Sequence, residues 1–213
     1  VYKRQALSMG RQRLGLLHLN NHGRFLQNLE LPHLKTEANS GKIDIAALDI
    51  IRDRERGVPR FNEFRRQYGL RQLTSFDDFI DKRLGADSAE RKRQVAVAEA
   101  MREIYGTHIC DETKVISHAQ KIDGDYPNDC LGHPNGTRVD NVEDVDTVVG
   151  WLAEPVRPHG YAISEPQFVV FILNASRRLF SDRFFTSSFR PEFYSTMGAV
   201  SYTHLRAHET TVY

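Results

Sequence analysis

The sequence has no long hydrophobic run, almost no excess charge and only two cysteines. No apolar stretch approaches the ~20 residues that a membrane-spanning helix needs, so we expect no membrane span. The 29 basic and 28 acidic residues nearly cancel, which gives no basic surface for nucleic acid, and we expect no nucleic-acid partner. Cys110 and Cys130 form no C-x-x-C pair of the kind found in zinc sites, and two cysteines alone do not fix a redox compartment.

Phosphate-binding glycine loops, internal repeats and a convincing series of strands are also missing. Apolar residues instead recur at helical spacing in several segments. Ser88 is placed to cap a helix that runs to Tyr105 and ends at Gly106, and Ser164 opens a strongly apolar helix that we expect at the centre of the core. With 40% hydrophobic and 27% charged residues, the composition is that of a globular protein. The sequence therefore predicts a mainly α fold with little or no β structure.

The two ends of the chain resemble translated sequencing adapter. Residues 1–5 can be encoded by GTGTATAAGAGACAG, and the reverse complement of that string, translated from its third base, encodes residues 200–203. We therefore expect residues 1–5 and 200–213 to be foreign to the natural protein and exclude them from fold reasoning. Without them the chain carries 26 basic and 27 acidic residues, a net charge of −1. Residues 6–199 form the natural part, and we expect neither of its ends to coincide with a domain boundary.

A long polar stretch interrupts the helical pattern between residues 107 and 141. It has no clear periodicity, and a loop of this length inside a compact domain is often a functional or mobile insertion. Its cysteines could form a disulfide, remain free thiols or ligate zinc through Cys130-x-x-His133, and the sequence leaves these alternatives open. The tripeptide NGT at 135–137 has the form of a glycosylation site, although an Asn-Gly turn explains the same residues.

One stretch, residues 44–66, carries the most specific chemistry. Its apolar run is interrupted by a single acid, Asp49, and continues directly into a charged segment at residues 52–56. A helix that is apolar on nearly every side is a buried helix, and a carboxylate inside one needs a partner because an isolated buried charge is very costly. Asp49 therefore either joins the following arginines in an ion-pair cluster that closes the helix, or orients a histidine at a buried metal or cofactor.

Three blocks of the sequence resemble the animal-type haem peroxidase superfamily of myeloperoxidase and peroxinectin, and they are most similar to its bacterial branch. Residues 43–66, IDIAALDIIRDRERGVPRFNEFRR, resemble a family block with an Asn or Asp, an R-x-R segment and an N-x-x-R-R ending. Residues 142–155, VEDVDTVVGWLAEP, and 164–186, SEPQFVVFILNASRRLFSDRFFT, are similar to two later blocks in the same order. The resemblance implies a partial helical haem peroxidase domain over residues 6–199, from the internal to C-terminal region, in which residues 107–141 form an unusually long loop or insertion.

The resemblance also implies a site. In this family a histidine binds the haem iron, and a carboxamide or carboxylate in the first block hydrogen-bonds the other nitrogen of that histidine. Asp49 matches that position, and Arg52, one helical turn later, lies near the haem by resemblance and could pair with a propionate. The family's distal and proximal histidines and its calcium loop lie upstream of the first block. We therefore expect no catalytic residue and no metal ligand in this chain, while the complete parent protein would hold haem and could hold calcium. His18 and His22 are expected at the surface or in a loop.

The function implied by the resemblance is that of a haem peroxidase, an oxidoreductase of oxidative-stress responses that reduces hydrogen peroxide and oxidises a halide or an organic donor. We expect this chain to contribute the histidine-supporting residues and core helices, and to be inactive alone. One alternative is a fatty-acid dioxygenase of the same superfamily, which uses a tyrosyl radical near the haem; the unranked candidates are Tyr68, Tyr105, Tyr126, Tyr161 and Tyr194. Another is a non-catalytic helical interaction domain. Donor substrate, oligomeric state and cellular location stay open, and a secreted or cell-surface protein is compatible with the sequence.

Overall fold

The computed structural model describes residues 2–11, 15, 17–37, 40–155 and 157–183. The chain divides into two units, one that ends at Gln167 and one that begins at Phe168. The described residues form six α-helices: α1 (Tyr2–Arg11), α2 (Ile45–Glu55), α3 (Phe61–Gln67), α4 (Ala89–Tyr105), α5 (Thr147–Ala153) and α6 (Glu165–Ser181). Short 3₁₀ helices between them include Leu19–Asn21, Arg24–Asn28 and Val142–Asp144.

Strands are few and short among the described residues. β1 (Leu29–Glu30) pairs antiparallel with β2 (Lys42–Ile43), and β3 (Thr107–Ile109) pairs antiparallel with β4 (Arg138–Asp140). The prediction of a mainly α fold with little β structure is confirmed. In the part of the chain that the structure describes, no helix has both the length and the apolar character to cross a membrane.

The core of the first unit is built by side chains of α3, the 3₁₀ helix Phe76–Phe79, α4 and the segment around α5. Phe61 at the start of α3 is fully buried and packs against Phe79, with 6.0 Å between the two ring centroids. Gly150 in α5 lies directly against the Phe61 ring, and a Cβ at this position would overlap the ring atoms. A glycine is therefore needed for the close approach of α5 to α3. Further buried side chains of this core are Leu73, Phe76, Ala98, Met101, Leu131, Val142 and Val145.

Local capping explains where α2 begins and where α4 begins and ends. Asp44 precedes α2, and its carboxylate accepts hydrogen bonds from two backbone N–H groups of the first turn, at 2.9 and 3.1 Å. Ser88 precedes α4, and its hydroxyl accepts from the backbone N–H of Arg91 at 3.2 Å. Gly106 follows α4 with φ of 76°, a conformation that favours glycine. The predicted helix between Ser88 and Gly106 is confirmed.

Helix α2 is exposed, and the prediction that it is a buried helix is wrong for this chain. None of its residues is buried. The helix packs against the 3₁₀ helix Arg24–Asn28 and against α5, while Leu48 and Ile51 stay exposed. The physical reason is one-sided packing, because an apolar run becomes a buried helix only when its whole circumference is covered.

Helix α6 is predicted to be a central core helix, but five of its apolar side chains are exposed. The exposed apolar side chains along it are Phe171, Ile172, Leu173, Leu179 and Phe180. Its apolar sequence predicted packing partners on most sides, and these side chains lack them here. The end of the third block at residues 184–186, Tyr194 and the adapter-like residues 200–213 lie outside the described residues.

The polar stretch 107–141 is a structured hairpin. β3 and β4 form its base, a disulfide joins Cys110 to Cys130, and an isolated bridge pairs Val115 with Asn128. Because Cys110 and Cys130 form a disulfide, neither of them is a free thiol or a zinc ligand. Within the residues that the structure describes, no group of three or more His, Cys, Asp and Glu side chains could hold a metal ion.

Candidate functional site

The face of α2 that carries Asp49 and Arg52 is the candidate cofactor-facing surface. Successive residues of an α-helix are about 100° apart, so Ile51, Glu55, Leu48, Arg52 and Asp49 lie along one exposed arc in that order. The residues Ile51 and Leu48 are 49% and 36% exposed, and the side chains of Arg52 and Asp49 are 50% and 52% exposed. The arc therefore presents two apolar side chains among two carboxylates and a guanidinium.

Asp49 and Arg52 form an ion pair at the surface, with 3.7 Å between Asp49 Oδ1 and Arg52 Nη1. An exposed pair of this kind contributes at most about 1 kcal/mol, so either side chain can exchange its partner at little cost. The structure thus brings the two predicted site residues together on one face. It does not bury Asp49, because the apolar arc around it is uncovered, and their role toward haem stays a prediction.

A buried carboxylate, Asp146, anchors the end of α2 to the core. Its side chain is 4% exposed and accepts two hydrogen bonds from Arg54, Nε to Oδ1 at 2.8 Å and Nη2 to Oδ2 at 2.7 Å. Arg60 also donates to Oδ1, and the Tyr105 hydroxyl donates to Oδ2 at 3.1 Å. Burial alone would raise the pKa of Asp146, but the hydrogen bonds and the arginine charges outweigh burial and lower it. Asp146 therefore stays ionised and holds α2 against α4 and α5.

Two neighbouring arginines of α3 link the three sequence blocks. Arg66 is buried and donates to both oxygens of Glu143, at 2.9 and 2.5 Å. Arg65 is also buried and donates to Glu154 and, at 2.9 Å, to Glu165. Glu143 and Glu154 belong to the second block and Glu165 to the third. The guanidinium groups of the first block therefore bind the second block and Glu165 at the start of the third.

Sequence reasoning missed this network of arginines and acids. A usable signal was present, because Glu154 directly follows the apolar turn of α5 and a carboxylate beside apolar residues needs a basic partner. From the sequence, a partner is expected only for Asp49 and for the arginines that follow it, and the Asp49 side chain is about half-exposed.

Glu154 has an unusual environment for an acid. Only 7% of the residue is exposed, and its Oε2 lacks a hydrogen-bond partner among the described residues, while Oε1 accepts from Arg65. Burial raises the pKa of Glu154 to about 7, although the charge of Arg65 acts in the opposite direction. The residue lies in the wall of a cavity of about 440 Å³, between the 3₁₀ helix Leu19–Asn21 and α4. Burial therefore moves the pKa of Glu154 toward neutral pH.

Three histidines with described side chains, His18, His22 and His108, lie at the surface or in the hairpin. His18 and His22 flank the 3₁₀ helix Leu19–Asn21 and are exposed, as predicted. His108 lies between Asn141 and Asp129, with 2.5 Å from Nδ1 to the Asn141 oxygen and 3.1 Å from Nε2 to a carboxylate oxygen of Asp129. Both ring nitrogens of His108 are therefore occupied by protein partners.

The candidate radical tyrosines lie in different settings. The ring of Tyr68 stacks on Phe64, and the ring of Tyr126 lies edge-on to His118. Tyr105 donates to Asp146, and burial raises its pKa to about 12. No contact among the described residues assigns a radical to any one of them, and Tyr194 lies outside the described residues.

The sequence matches the animal haem peroxidase family over residues 2–111 and 136–206. An alpha-dioxygenase PIOX of Oryza sativa subsp. japonica is 38% identical over 197 residues, which cover 92% of this chain and 24% of that protein. An alpha-dioxygenase PIOX of Pisum sativum is 34% identical over 195 residues, which cover 92% of this chain and 23% of that protein. A solved structure of a fatty acid alpha-dioxygenase variant of Oryza sativa with palmitic acid superposes with a TM-score of 0.60 and 38% identity, over 93% of this chain and 25% of that one. The chain spans about a quarter of the length of the relatives it matches.

The family match bears on the boundaries expected from the sequence. Residues 112–135 fall between its two ranges, inside the stretch expected to be an insertion. The match runs from residue 2 to residue 206 and therefore includes part of both adapter-like ends, whose foreign origin stays a prediction. The relatives named above are plant proteins, so the similarity to a bacterial branch also stays a prediction.

Proposed function

Because the chain belongs to the animal haem peroxidase family, we propose that its parent protein is a haem-dependent dioxygenase that adds molecular oxygen to a fatty acid at the carbon next to the carboxylate. The family assignment made from the three sequence blocks is confirmed, and it makes the parent a member of a haem-binding family of oxidoreductases. The dioxygenase alternative replaces the peroxidase that was expected first. The observation that carries this choice is the similarity to alpha-dioxygenases over 92% of the chain.

The proposed substrate is a long-chain fatty acid. This class is taken from the rice relative, which was solved with palmitic acid. Molecular oxygen is then the co-substrate, and neither hydrogen peroxide nor a halide is required. The small-molecule partner expected from the sequence is thus a fatty acid and not a peroxidase donor.

The exposed arc of α2 suits a supporting role toward the haem. Its apolar residues Leu48 and Ile51 would lie against apolar surface, and Asp49 and Arg52 would meet polar groups. We assign Asp49 to the hydrogen bond with the far nitrogen of an iron-ligating histidine elsewhere in the parent, and Arg52 to a haem propionate. When bound, the haem would supply the one-electron oxidation that protein side chains do not provide.

The rest of this chain would hold α2 in the orientation that this role needs. Near the end of α2, the Nε and Nη2 atoms of Arg54 both donate hydrogen bonds to the buried carboxylate of Asp146. Arg65 and Arg66 tie the next helix to the second block and to Glu165. A hydrogen bond to a ligating histidine requires a carboxylate placed within a few tenths of an ångström, which a rigid helix provides better than a loop.

The complete parent protein, purified with haem, tests the proposed reaction. Palmitic acid should cause oxygen uptake with no hydrogen peroxide added and with catalase present. A matched assay offers peroxide and an organic donor without fatty acid. Donor oxidation that depends on peroxide, without oxygen uptake on fatty acid, would restore the peroxidase interpretation, and a folded parent without haem or either activity would favour the non-catalytic interaction domain.

This chain alone is expected to be inactive, because its proposed role toward the iron is indirect. Haemin added to the chain should give neither a tight Soret-absorbing complex nor turnover. A tight complex with turnover would contradict the expectation that the iron ligand lies elsewhere in the parent.

A further inference from the structure

The hairpin at residues 107–141 carries a feature that the proposed reaction does not use. It contains residues 112–135, which fall between the two ranges that match the family. The disulfide between Cys110 and Cys130 closes the hairpin close to where the family match stops. Structural disulfides form in oxidising compartments and are rare in the cytosol. The hairpin therefore suits a protein that folds in the secretory pathway.

An asparagine side chain is presented at the surface of this hairpin. The backbone N–H and the hydroxyl of Thr137 both donate to the carbonyl of Pro134, at 3.2 and 2.8 Å, which closes a tight turn. Gly136 has φ of 76°, and a Cβ there would meet no atom within 4 Å. The backbone N–H of Glu112 donates to Asn135 Oδ1 at 3.1 Å, and Nδ2 makes no hydrogen bond within the described residues. The turn thus holds the amide by its oxygen and leaves its nitrogen accessible.

We propose that Asn135 carries an N-linked glycan. The tripeptide at 135–137 has the N-x-[ST] form that the glycosyl transfer requires, and it lies in an exposed turn of a disulfide-closed hairpin. The donor would be an oligosaccharide linked to a lipid diphosphate. Nδ2 attacks the anomeric carbon, a C–N bond forms, the bond from that carbon to the diphosphate oxygen breaks, Nδ2 loses one proton and the lipid diphosphate leaves. The transfer needs no oxidant or reductant.

A second N-x-[ST] tripeptide lies in a different structural setting. Asn174, Ala175 and Ser176 lie within α6, next to the exposed apolar side chains of Phe171 and Leu173. An apolar helix face is normally a packing surface, and a large polar glycan there would prevent packing. The proposal therefore assigns the glycan to Asn135 and not to Asn174.

The test is secretion of the full chain from a eukaryotic cell behind a signal sequence, followed by peptide mass mapping before and after peptide N-glycosidase. We expect one glycan per chain, on Asn135. Asn135→Gln and Thr137→Ala should each lose it completely. Thr137→Ser keeps the hydroxyl and should keep the glycan, and Asn174→Gln should leave the glycan mass unchanged.

Several results would overturn the proposal. An unmodified Asn135 in secreted chains whose Cys110–Cys130 disulfide has formed would do so, and so would a glycan found only on Asn174. Conversion of Asn135 to aspartate before glycosidase treatment, without any glycan-bearing peptide, would identify a deamidating Asn-Gly turn instead. No haem or fatty acid enters these measurements, so their outcome is independent of the proposed reaction.

Discussion

Replacing Glu154 with glutamine tests the electrostatics of the buried ion-pair network. Burial raises the pKa of Glu154 from 4.5 to about 7, so between these values the folded protein keeps a proton that the unfolded chain has lost. The free energy of unfolding should therefore fall as the pH rises from about 4.5 to about 7, and then level off. At about 1.36 kcal/mol per pH unit, this difference corresponds to roughly 3 kcal/mol.

The assay is urea unfolding followed by circular dichroism at several pH values between 4.5 and 8. Glutamine has the shape of the protonated acid and cannot ionise, so Glu154→Gln should match the original chain at the lowest pH and exceed its stability by up to ~3 kcal/mol at pH 8. Glu99→Gln, on the exposed side of α4, is the matched control and should change little. A stability difference between Glu154→Gln and the original chain that is constant across this pH range would refute the reasoning.

Three further substitutions test the packing and anchoring of the chain by thermal or chemical unfolding. Gly150→Ala should lower stability by about 1–3 kcal/mol because its methyl group would overlap the core, whereas Gly85→Ala, with open space around it, should not; equal effects would contradict the packing. Replacing Cys110 and Cys130 by serine should cost about 3 kcal/mol, and reduction should give the same loss, since the bond closes a long loop in the unfolded chain. Asp146→Asn should cost about 1–3 kcal/mol, because the buried amide keeps fewer hydrogen bonds to Arg54 and Arg60 while those half-exposed arginines regain water, and an unchanged midpoint would show that the anchor is dispensable.

Features that are set by residues close together in the sequence could be predicted from the sequence. The cap at Ser88 and the stop at Gly106 act within one turn of the helix, and both ends of α4 follow them. The capping motif at Ser164 likewise predicted the start of α6 at Glu165. Such signals need no knowledge of the tertiary structure.

Burial and ion pairing could not be predicted in the same way. The partners of Arg65 are 89 and 100 residues away, so their contact depends on how α3 meets α5 and the start of α6. Two cysteines 20 residues apart allow a disulfide without requiring one, and the hairpin geometry decides the question. The apolar run of α2 predicted that other residues pack over the whole helix, but Leu48 and Ile51 stay exposed in this chain.

The candidate site shows how physical reasoning and family resemblance can diverge. The sequence predicts that Asp49 is a buried acid, and in this chain it is a half-exposed acid paired with Arg52. Its assignment toward the haem is therefore a proposal from the family pattern and from the mixed apolar and charged arc. Covering this arc in the parent protein would restore the buried setting in which a carboxylate strongly affects a ligating histidine.

The reduction potential of the haem in the parent protein carrying Asp49→Asn tests the role of α2 most directly. An anionic partner makes the iron-bound imidazole a stronger donor and stabilises the oxidised iron, so the neutral asparagine should raise the potential. Asp53→Asn removes the same charge one turn further along α2 and should change the potential much less. An unchanged potential in a folded, haem-loaded Asp49→Asn protein would contradict the claim that this helix supports the histidine that binds the iron.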